Sequence, residues 1–225
     1  MDWEWITRNR RLFGGLLADH IYLAMTPVCL GLLVSLALGV ACVSWPRLYP
    51  PVLAATSFLY ALPSIVLIII LIDYFGLTWT SVIIPLTIYS VSVLIRNVVE
   101  GLRAVPDAVR LAATAMGYTR VSRLIRIDLP LAVPTIMAGL RVTAVSNISL
   151  VSIASLIGLG GLGQLFTNGF QLAFPTEIIV GIVLTVLLAV AADTALVLLQ
   201  RLLTPWVRRG VEPRRRSRVT TGAAS

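Results

Sequence analysis

Five long apolar segments constrain the fold of this chain more than any other feature of its sequence. They cover approximately residues 21–44, 51–72, 79–98, 131–156 and 178–203. Each segment reaches the roughly 20 residues that a helix needs to cross a bilayer core. Only 12% of the residues are charged, whereas soluble domains carry roughly a quarter. The sequence therefore predicts an all-α integral membrane protein with about five transmembrane helices.

Two segments flank the predicted membrane domain, which covers residues 21–204. Residues 1–20 hold apolar side chains that could face lipid, so we predict an N-terminal interfacial segment. These side chains are Trp3, Trp5, Ile6, Leu12, Phe13 and Leu16. The lone His20 falls at the boundary, where an interfacial role is expected. Residues 205–225 hold six arginines and no apolar run, which predicts a basic, disordered tail.

The arginines predict which connections lie in the cytoplasm. The 99–130 connection has five arginines and the tail after residue 203 has six, whereas the 73–78 and 157–177 connections have none. The positive-inside rule then places the 99–130 connection and the C-terminus in the cytoplasm and the N-terminus outside. Arg8, Arg10 and Arg11 oppose this orientation, although nearby acidic residues offset their charge.

Several functional classes are excluded by residue type. All 18 basic residues are arginine, and a Walker A loop requires a lysine to reach the nucleotide phosphates. No nucleophile–base arrangement and no metal-ligand spacing is present, so we predict that the chain is not itself an enzyme and holds no metal. The net charge of +8 is concentrated in the tail beside a membrane span. This position favours contact with lipid headgroups over contact with nucleic acid.

An amphipathic, basic loop interrupts the apolar segments between Val105 and Pro130. Four apolar positions recur there at helical spacing: Val109, Ala112, Ala113 and Met116. Gly117 is expected to end this helix, and Val121 begins a second short apolar face that Pro130 should stop. We predict two short helices that form a compact docking surface for another protein. The alternative is a solvated basic connector.

Arg141 and Asp193 are charged residues inside apolar segments, where charge is costly. Each lies about ten residues from the predicted cytoplasmic end of its segment, which corresponds to ~15 Å of depth. Their similar depth predicts an intramembrane ion pair. The alternative is that each faces a water-filled vestibule separately.

Other polar or helix-breaking positions could belong to a translocation path or gate. Ser146 and Asn147 begin a polar side of the fourth segment, which either joins helices or lines a solute path. Pro63 interrupts the second segment, so it predicts either a gating kink or a packing irregularity. Gly160 and Gly161 lie in a glycine-rich stretch that is either a flexible linker or a tightly packed turn.

The 105–130 loop resembles a motif of ABC importer permease subunits, E-A-A-x3-G-x9-I-x-L-P. The matching residues are Leu111-Ala112-Ala113, Gly117 and Ile127-Asp128-Leu129-Pro130. The first position departs from the family, because Leu111 stands where the usual residue is Glu. Further stretches resemble the glycine betaine/carnitine/choline (osmoprotectant) branch: Ala61–Ser64, Met116–Gly117, Asp128–Pro134, Ala138–Arg141 and Ile157–Gly163. The resemblance extends over most of residues 20–205.

This resemblance implies a function in ATP-driven import across a bacterial cell (inner or plasma) membrane. The chain would form the path for a compatible solute such as glycine betaine, choline or carnitine. Another small solute, such as an amino acid or methionine, and an ion-coupled secondary transporter are the alternatives. The resemblance also favours the packed turn at Gly160 and Gly161, which would contact a solute-binding protein and close the pore.

The resemblance further implies a set of partners. A cytoplasmic ABC ATPase would hold ATP and Mg, so this chain needs no cofactor of its own. A second permease subunit, identical or paralogous, would complete the path, and an extracellular solute-binding protein would deliver the solute. The ATPase would grip a coupling loop at about residues 100–130 through Leu111, Ala112, Ala113, Gly117, Ile127, Leu129 and Pro130.

Overall fold

The computed structural model describes residues 1–206, and helices account for nearly all of this part of the chain. The helices are α1 (Trp3–Arg8), α2 (Arg10–Ser44), α3 (Tyr49–Ala61), α4 (Ser64–Phe75), α5 (Trp79–Arg103), α6 (Asp107–Ala115), α7 (Arg120–Arg123), α8 (Leu129–Ala154), α9 (Gln164–Gln171) and α10 (Pro175–Leu203). Four helical stretches are long and apolar enough to cross a membrane: α2, α5, α7 continued through α8, and α10. The predicted all-α membrane architecture is confirmed. The tail arginines at 208–218 lie outside the described residues.

The second apolar segment is broken rather than straight. Helices α3 and α4 meet at an angle of 90°, and Leu62 and Pro63 between them are extended. Proline lacks a backbone N–H and disfavours helical backbone in the residue before it, so the helix ends there. The hydroxyl of Tyr89 donates to the Leu62 carbonyl that the break leaves free. The described residues thus contain four spans, or five when the bent pair counts as one.

Helix α2 continues across the predicted boundary at residue 20, because it runs without interruption for 35 residues from Arg10. Some of the apolar residues before position 20 pack against other parts of the protein. Leu16 is buried in a cluster with Leu162, Leu165 and Val180, against which Ile6 and Phe13 pack. Hydropathy cannot distinguish this contact from a lipid contact, since both environments are apolar. Trp3 and Leu12 remain exposed.

Helix α5 lies at the centre of the fold and packs against α2, α3, α4 and α8. Small residues allow α2 to approach it closely, because a Cβ atom at Gly31 would overlap Ser90 and one at Gly39 would overlap Val98. Small residues at helix contacts are typical of membrane proteins, where packing drives association. Helix α10 lies at the periphery and buries only residues near its start. Its exposed apolar surface suits lipid.

Helix α8 connects two ends of the molecule. It has 26 residues, or about 39 Å at 1.5 Å per residue. One end holds the 105–130 loop together with the last turns of α2 and α5. The other end holds the glycine turn, which we define as residues 158–163, together with α1 and the start of α10. These two ends contain most of the candidate functional residues.

Candidate coupling loop and translocation elements

The first helix of the 105–130 loop ends at Gly117, as the sequence predicts. Gly117 has a positive φ of 84°. Its N–H donates to the Thr114 carbonyl at 3.0 Å, and the Tyr118 N–H donates to the Ala113 carbonyl at 3.2 Å. These two bonds form a Schellman motif, in which glycine adopts the left-handed conformation without a Cβ penalty. The turn therefore has a defined geometry.

The second helix does not stop at Pro130, contrary to the prediction. Helix α7 continues through a π-helical turn, Leu124–Asp128, directly into α8. The Leu129 N–H donates to the Leu124 carbonyl across five residues. Pro130 lies in the first turn of α8, and this position tolerates a residue without an N–H. The loop is consequently one helix, α6, followed by a rigid extension of the membrane-spanning helix α8.

The surface of the loop is unusually apolar for a basic segment. Four large side chains are mostly exposed: Leu111 at 71%, Met116 at 69%, Val121 at 66% and Ile125 at 59%. The sequence predicts an apolar face on the first helix, but within the described structure only Ala113 of that face is buried. The residues of the family motif differ in exposure. Leu111 and Gly117 are exposed, whereas Ile127, Leu129 and Pro130 are half-buried at the base of the loop. Exposed apolar side chains beside polar ones are typical of a protein interface.

The structure brings Arg141 and Asp193 together, as their similar depth predicts. The Arg141 Nε donates to Asp193 Oδ1 at 2.7 Å, and Nη2 donates to Oδ2 at 2.8 Å. This two-pronged arrangement is the strongest geometry for an arginine–carboxylate pair. Both side chains are about a third exposed, and their contact ties the peripheral helix α10 to α8.

Asn147 lies inside the helix bundle. It is 1% exposed, and its side-chain amide donates to Ser90 Oγ at 2.9 Å and to the Ala24 carbonyl at 3.4 Å. These bonds join α8, α5 and α2. The structure thus favours the helix-joining interpretation of Asn147 over the path-lining one. Ser146 beside it is half-buried, and Pro63 is exposed at the break between α3 and α4.

The glycine turn is tightly packed at the end of α8. A Cβ atom at Gly160 would overlap the backbone of Ser155. At Gly161, where φ is 47°, it would lie 2.7 Å from the backbone nitrogen of His20. Both glycines are buried. This packing favours a fixed turn over a flexible linker.

His20 holds the glycine turn in place and is a residue whose burial the sequence analysis missed. It is fully buried, with Nε2 at 2.9 Å from the Ile148 carbonyl and Nδ1 at 3.2 Å from the Leu162 N–H. A neutral imidazole with its proton on Nε2 satisfies both contacts. The sequence did not predict that this side chain would be buried between α8 and the glycine turn. The only histidine of the sequence, at the start of a long apolar stretch, was the available signal.

A polar cavity opens beside the glycine turn. Its volume is about 350 Å³, and amide, hydroxyl and apolar side chains line it without a charged group. The lining includes Ser155, Gln164, Thr167, Asn168, Phe170 and Gln171. Three of these residues, Gln164, Asn168 and Gln171, follow one face of α9 at helical spacing. The cavity can therefore form hydrogen bonds with a partner or a solute but provides no fixed charge.

Solved structures share this fold. The chain resembles a permease chain in an inward-facing crystal structure of the MetNI methionine ABC transporter, with a TM-score of 0.76 and 23% identity. That similarity covers 91% of this chain and all of the other. An amino acid ABC transporter crystallised with histidines is also similar, with a TM-score of 0.68 and 18% identity.

Several curated proteins are similar in sequence over nearly the whole chain. The osmoprotectant import permease protein OsmW of Salmonella typhimurium is 34% identical over 88% of this chain and 94% of its own length. The choline transport system permease protein OpuBB of Bacillus subtilis is 33% identical over 83% of this chain and 86% of its own. Residues 28–209 match the family described as binding-protein-dependent transport system inner membrane component. The chain belongs to this family of membrane components of transport systems.

Proposed function

We propose that this chain is the permease subunit of an ATP-driven importer for a compatible solute of the glycine betaine, choline and carnitine class. The observation that carries the proposal is the similarity to permeases named for these solutes, at 31–34% identity over 83–88% of the chain. The similarity to the methionine transporter has only 23% identity, so it bears on the fold alone. An amino-acid or methionine substrate is therefore the less favoured alternative.

The proposed orientation places the 105–130 loop in the cytoplasm and the glycine turn outside. The distribution of arginines supports this orientation. The N-terminal helix α1 lies at the same end of the molecule as the glycine turn, because Ile6 packs against the cluster that contains Leu162. Trp5 also contacts Phe174 before α10, with ring centroids 5.2 Å apart. The N-terminus is then outside, together with the surface that would receive the solute-binding protein. With the bent pair α3–α4 counted as one span, five spans bring the end of α10 to the cytoplasmic side.

The proposed mechanism couples ATP hydrolysis to movement of α8. A cytoplasmic ABC ATPase, which would hold ATP and Mg, docks on the exposed apolar side chains of the loop. Because α7 continues into α8, displacement of the loop displaces a membrane-spanning helix. Two such permease subunits, identical or paralogous, would enclose the path between them. ATP binding would shift the pair between its two states through differential affinity for them.

Docking can be tested with two glycines that share a backbone conformation. Gly117 and Gly158 have φ values of 84° and 83°, and neither has an atom within 4 Å of a built Cβ. Co-purification of the permease with its candidate ATPase should fall sharply in Gly117→Asp and stay unchanged in Gly158→Asp. Both variants introduce the same strain and charge, but only one lies in the loop. Full capture of the ATPase by Gly117→Asp would contradict the proposed docking site.

The substrate class can be tested by uptake into proteoliposomes that contain the permease, its ATPase and its binding protein. Labelled glycine betaine, choline, carnitine and methionine would each be offered with and without internal ATP. We expect ATP-dependent uptake of at least one trimethylammonium solute and none of methionine. Uptake driven by an ion gradient without ATP would instead indicate a secondary transporter. Uptake of methionine alone would overturn the proposed substrate class.

A further inference from the structure

Asp128 is a buried carboxylate at the point where the 105–130 loop joins the membrane-spanning helix α8. The residue is 6% exposed and ends the π-helical turn that leads into α8. In the family motif it occupies the variable position between Ile127 and Leu129, so the motif itself assigns it no role. A buried carboxylate is costly unless it is paired, and its surroundings therefore require explanation.

Two arginines from the two helices of the loop surround this carboxylate. The Arg110 Nε of α6 lies 3.8 Å from Asp128 Oδ1, and the Arg123 Nε of α7 lies 3.5 Å from Oδ2. Both arginine side chains are about three-quarters buried. At such distances opposite charges attract more strongly than they do at an exposed surface, because the local dielectric constant is lower.

Each arginine also contacts a second element. The Arg110 Nη2 donates to the Leu102 carbonyl at the end of α5, at 2.5 Å. The Arg123 Nη1 donates to Thr114 Oγ1 in α6, at 3.3 Å. The three charged groups thus connect the end of α5, both loop helices and the start of α8. We refer to Asp128, Arg110 and Arg123 as the charge cluster.

Among residues 1–206, no other salt bridge joins α6 to the start of α8. Only Ala113 of α6 is buried among its nine residues, and a cavity of about 540 Å³ adjoins the cluster between α2 and α7. With so little apolar burial, the position of α6 relative to α8 depends on the charge cluster. A force applied to the exposed face of α6 would reach α8 through these contacts.

We propose that Asp128 is a positioning residue that makes the loop a rigid lever on α8, so that ATPase movement becomes movement of the membrane helices. This inference rests on the proposed function and adds to it the residue that transmits the displacement. Loss of the carboxylate would leave the exposed docking face intact, since Leu111 and Met116 are mostly exposed and form no part of the buried cluster. Docking and hydrolysis would persist while transport per ATP declined.

Asp107 provides a matched control for Asp128. It is an aspartate of the same loop and lies 3.7 Å from Nη1 of the same Arg110, but its side chain is 91% exposed. Such an exposed pair contributes little. Asp107→Asn therefore removes the same charge from the same loop without removing the buried connection. Asp128→Glu restores the charge and should recover part of the function.

The test measures three quantities in the reconstituted complex of permease, ATPase and binding protein: ATPase capture, ATP hydrolysis and solute uptake. For Asp128→Asn we expect normal capture, continued hydrolysis and about a tenfold lower uptake per ATP, within the usual range of coupling between sites. Asp107→Asn should match the wild type. Arg123→Gln should reproduce the loss, and it provides an independent variant should Asp128→Asn fail to fold.

Two outcomes would overturn the inference while the proposed function stands. Unchanged uptake per ATP in Asp128→Asn or Arg123→Gln would show that the cluster transmits nothing. Loss of ATPase capture in parallel with uptake would show that Asp128 only shapes the docking surface. A wild-type complex that neither captures the ATPase nor takes up solute would instead overturn the proposed function, and the inference with it.

Discussion

The two ends of α8 are held in place by different forces. At the glycine turn, a buried neutral histidine and close packing leave no space for an additional carbon atom at Gly160 or Gly161. In the 105–130 loop, large apolar side chains are exposed and a buried charge cluster supplies the connection. The glycine turn is therefore held by packing, whereas the loop combines an exposed apolar surface with a buried ionic connection. This difference is the one that the proposed coupling mechanism requires.

The largest effect on stability should come from an added methyl group at Gly161. This residue combines a positive φ with a backbone nitrogen of His20 that would lie 2.7 Å from the new Cβ. Gly161→Ala should lower the free energy of unfolding by about 1–2 kcal/mol for the left-handed conformation and by a further ~1–3 kcal/mol for overpacking. Gly158→Ala carries only the first cost. Equal thermal unfolding midpoints of the two variants in detergent would contradict the packing difference.

Removal of the His20 side chain should have the second-largest effect. In His20→Ala the buried Leu162 N–H loses its partner, whereas the Ile148 carbonyl keeps its bond within α8, so the cost is about 1–3 kcal/mol. Leu33→Ala in the same helix, where the side chain is 65% exposed, should change the unfolding midpoint little. Protease sensitivity of the glycine turn should rise only in His20→Ala. An unchanged midpoint in that variant would show that packing alone holds the turn.

The Arg141–Asp193 pair lies between these two ends, in the middle of α8, where an ion pair supplies the connection. Arg141→Leu and Asp193→Leu should each reduce the yield of assembled transporter, because each leaves an uncompensated charge within the membrane. The double variant should recover part of this yield, since neither charge remains. Yield and uptake measured for all three variants test the prediction. A double variant with additive defects would indicate that the two residues act separately.

The smallest effect on stability should come from Leu111. This side chain is 71% exposed, so Leu111→Asp should change the free energy of unfolding by no more than about 0.5 kcal/mol. Its effect should appear only in ATPase capture, because an apolar contact is lost. The buried Leu162 offers the contrast, since Leu162→Asp should prevent folding. If Leu111→Asp unfolds the protein, the loop is not the open docking surface described above.

Sequence patterns predicted those features that depend on local chain chemistry. The apolar segments, the end of α6 at Gly117 and the contact between Arg141 and Asp193 follow from segment length, glycine conformation and matching depth. The second loop helix was less predictable, because Pro130 was expected to stop it. The π-helical turn before Pro130 accommodates the proline, and such a turn has no clear sequence signature.

Residues that act through distant contacts were not predictable. His20 and Asn147 contact residues more than 50 positions away, and nothing in their own segments indicates which partner they meet. Asp128 lies within a recognised motif, yet the sequence does not show that Arg110 and Arg123 lie against it. Helical spacing reports which residues share a face but not which surface covers that face.

The sequence by itself determined that this chain spans a membrane, which residues form the loop between its spans, and to which family the motif in that loop belongs. These properties depend on hydropathy, charge and spacing along one segment, and the order of residues in that segment is enough to predict them. Only the tertiary structure decided that residues before position 20 contact protein, that the second segment bends by 90° and that His20 and Asp128 are buried. The physical reason is that lipid and protein interior are both apolar, so composition alone cannot tell which of them a side chain will meet.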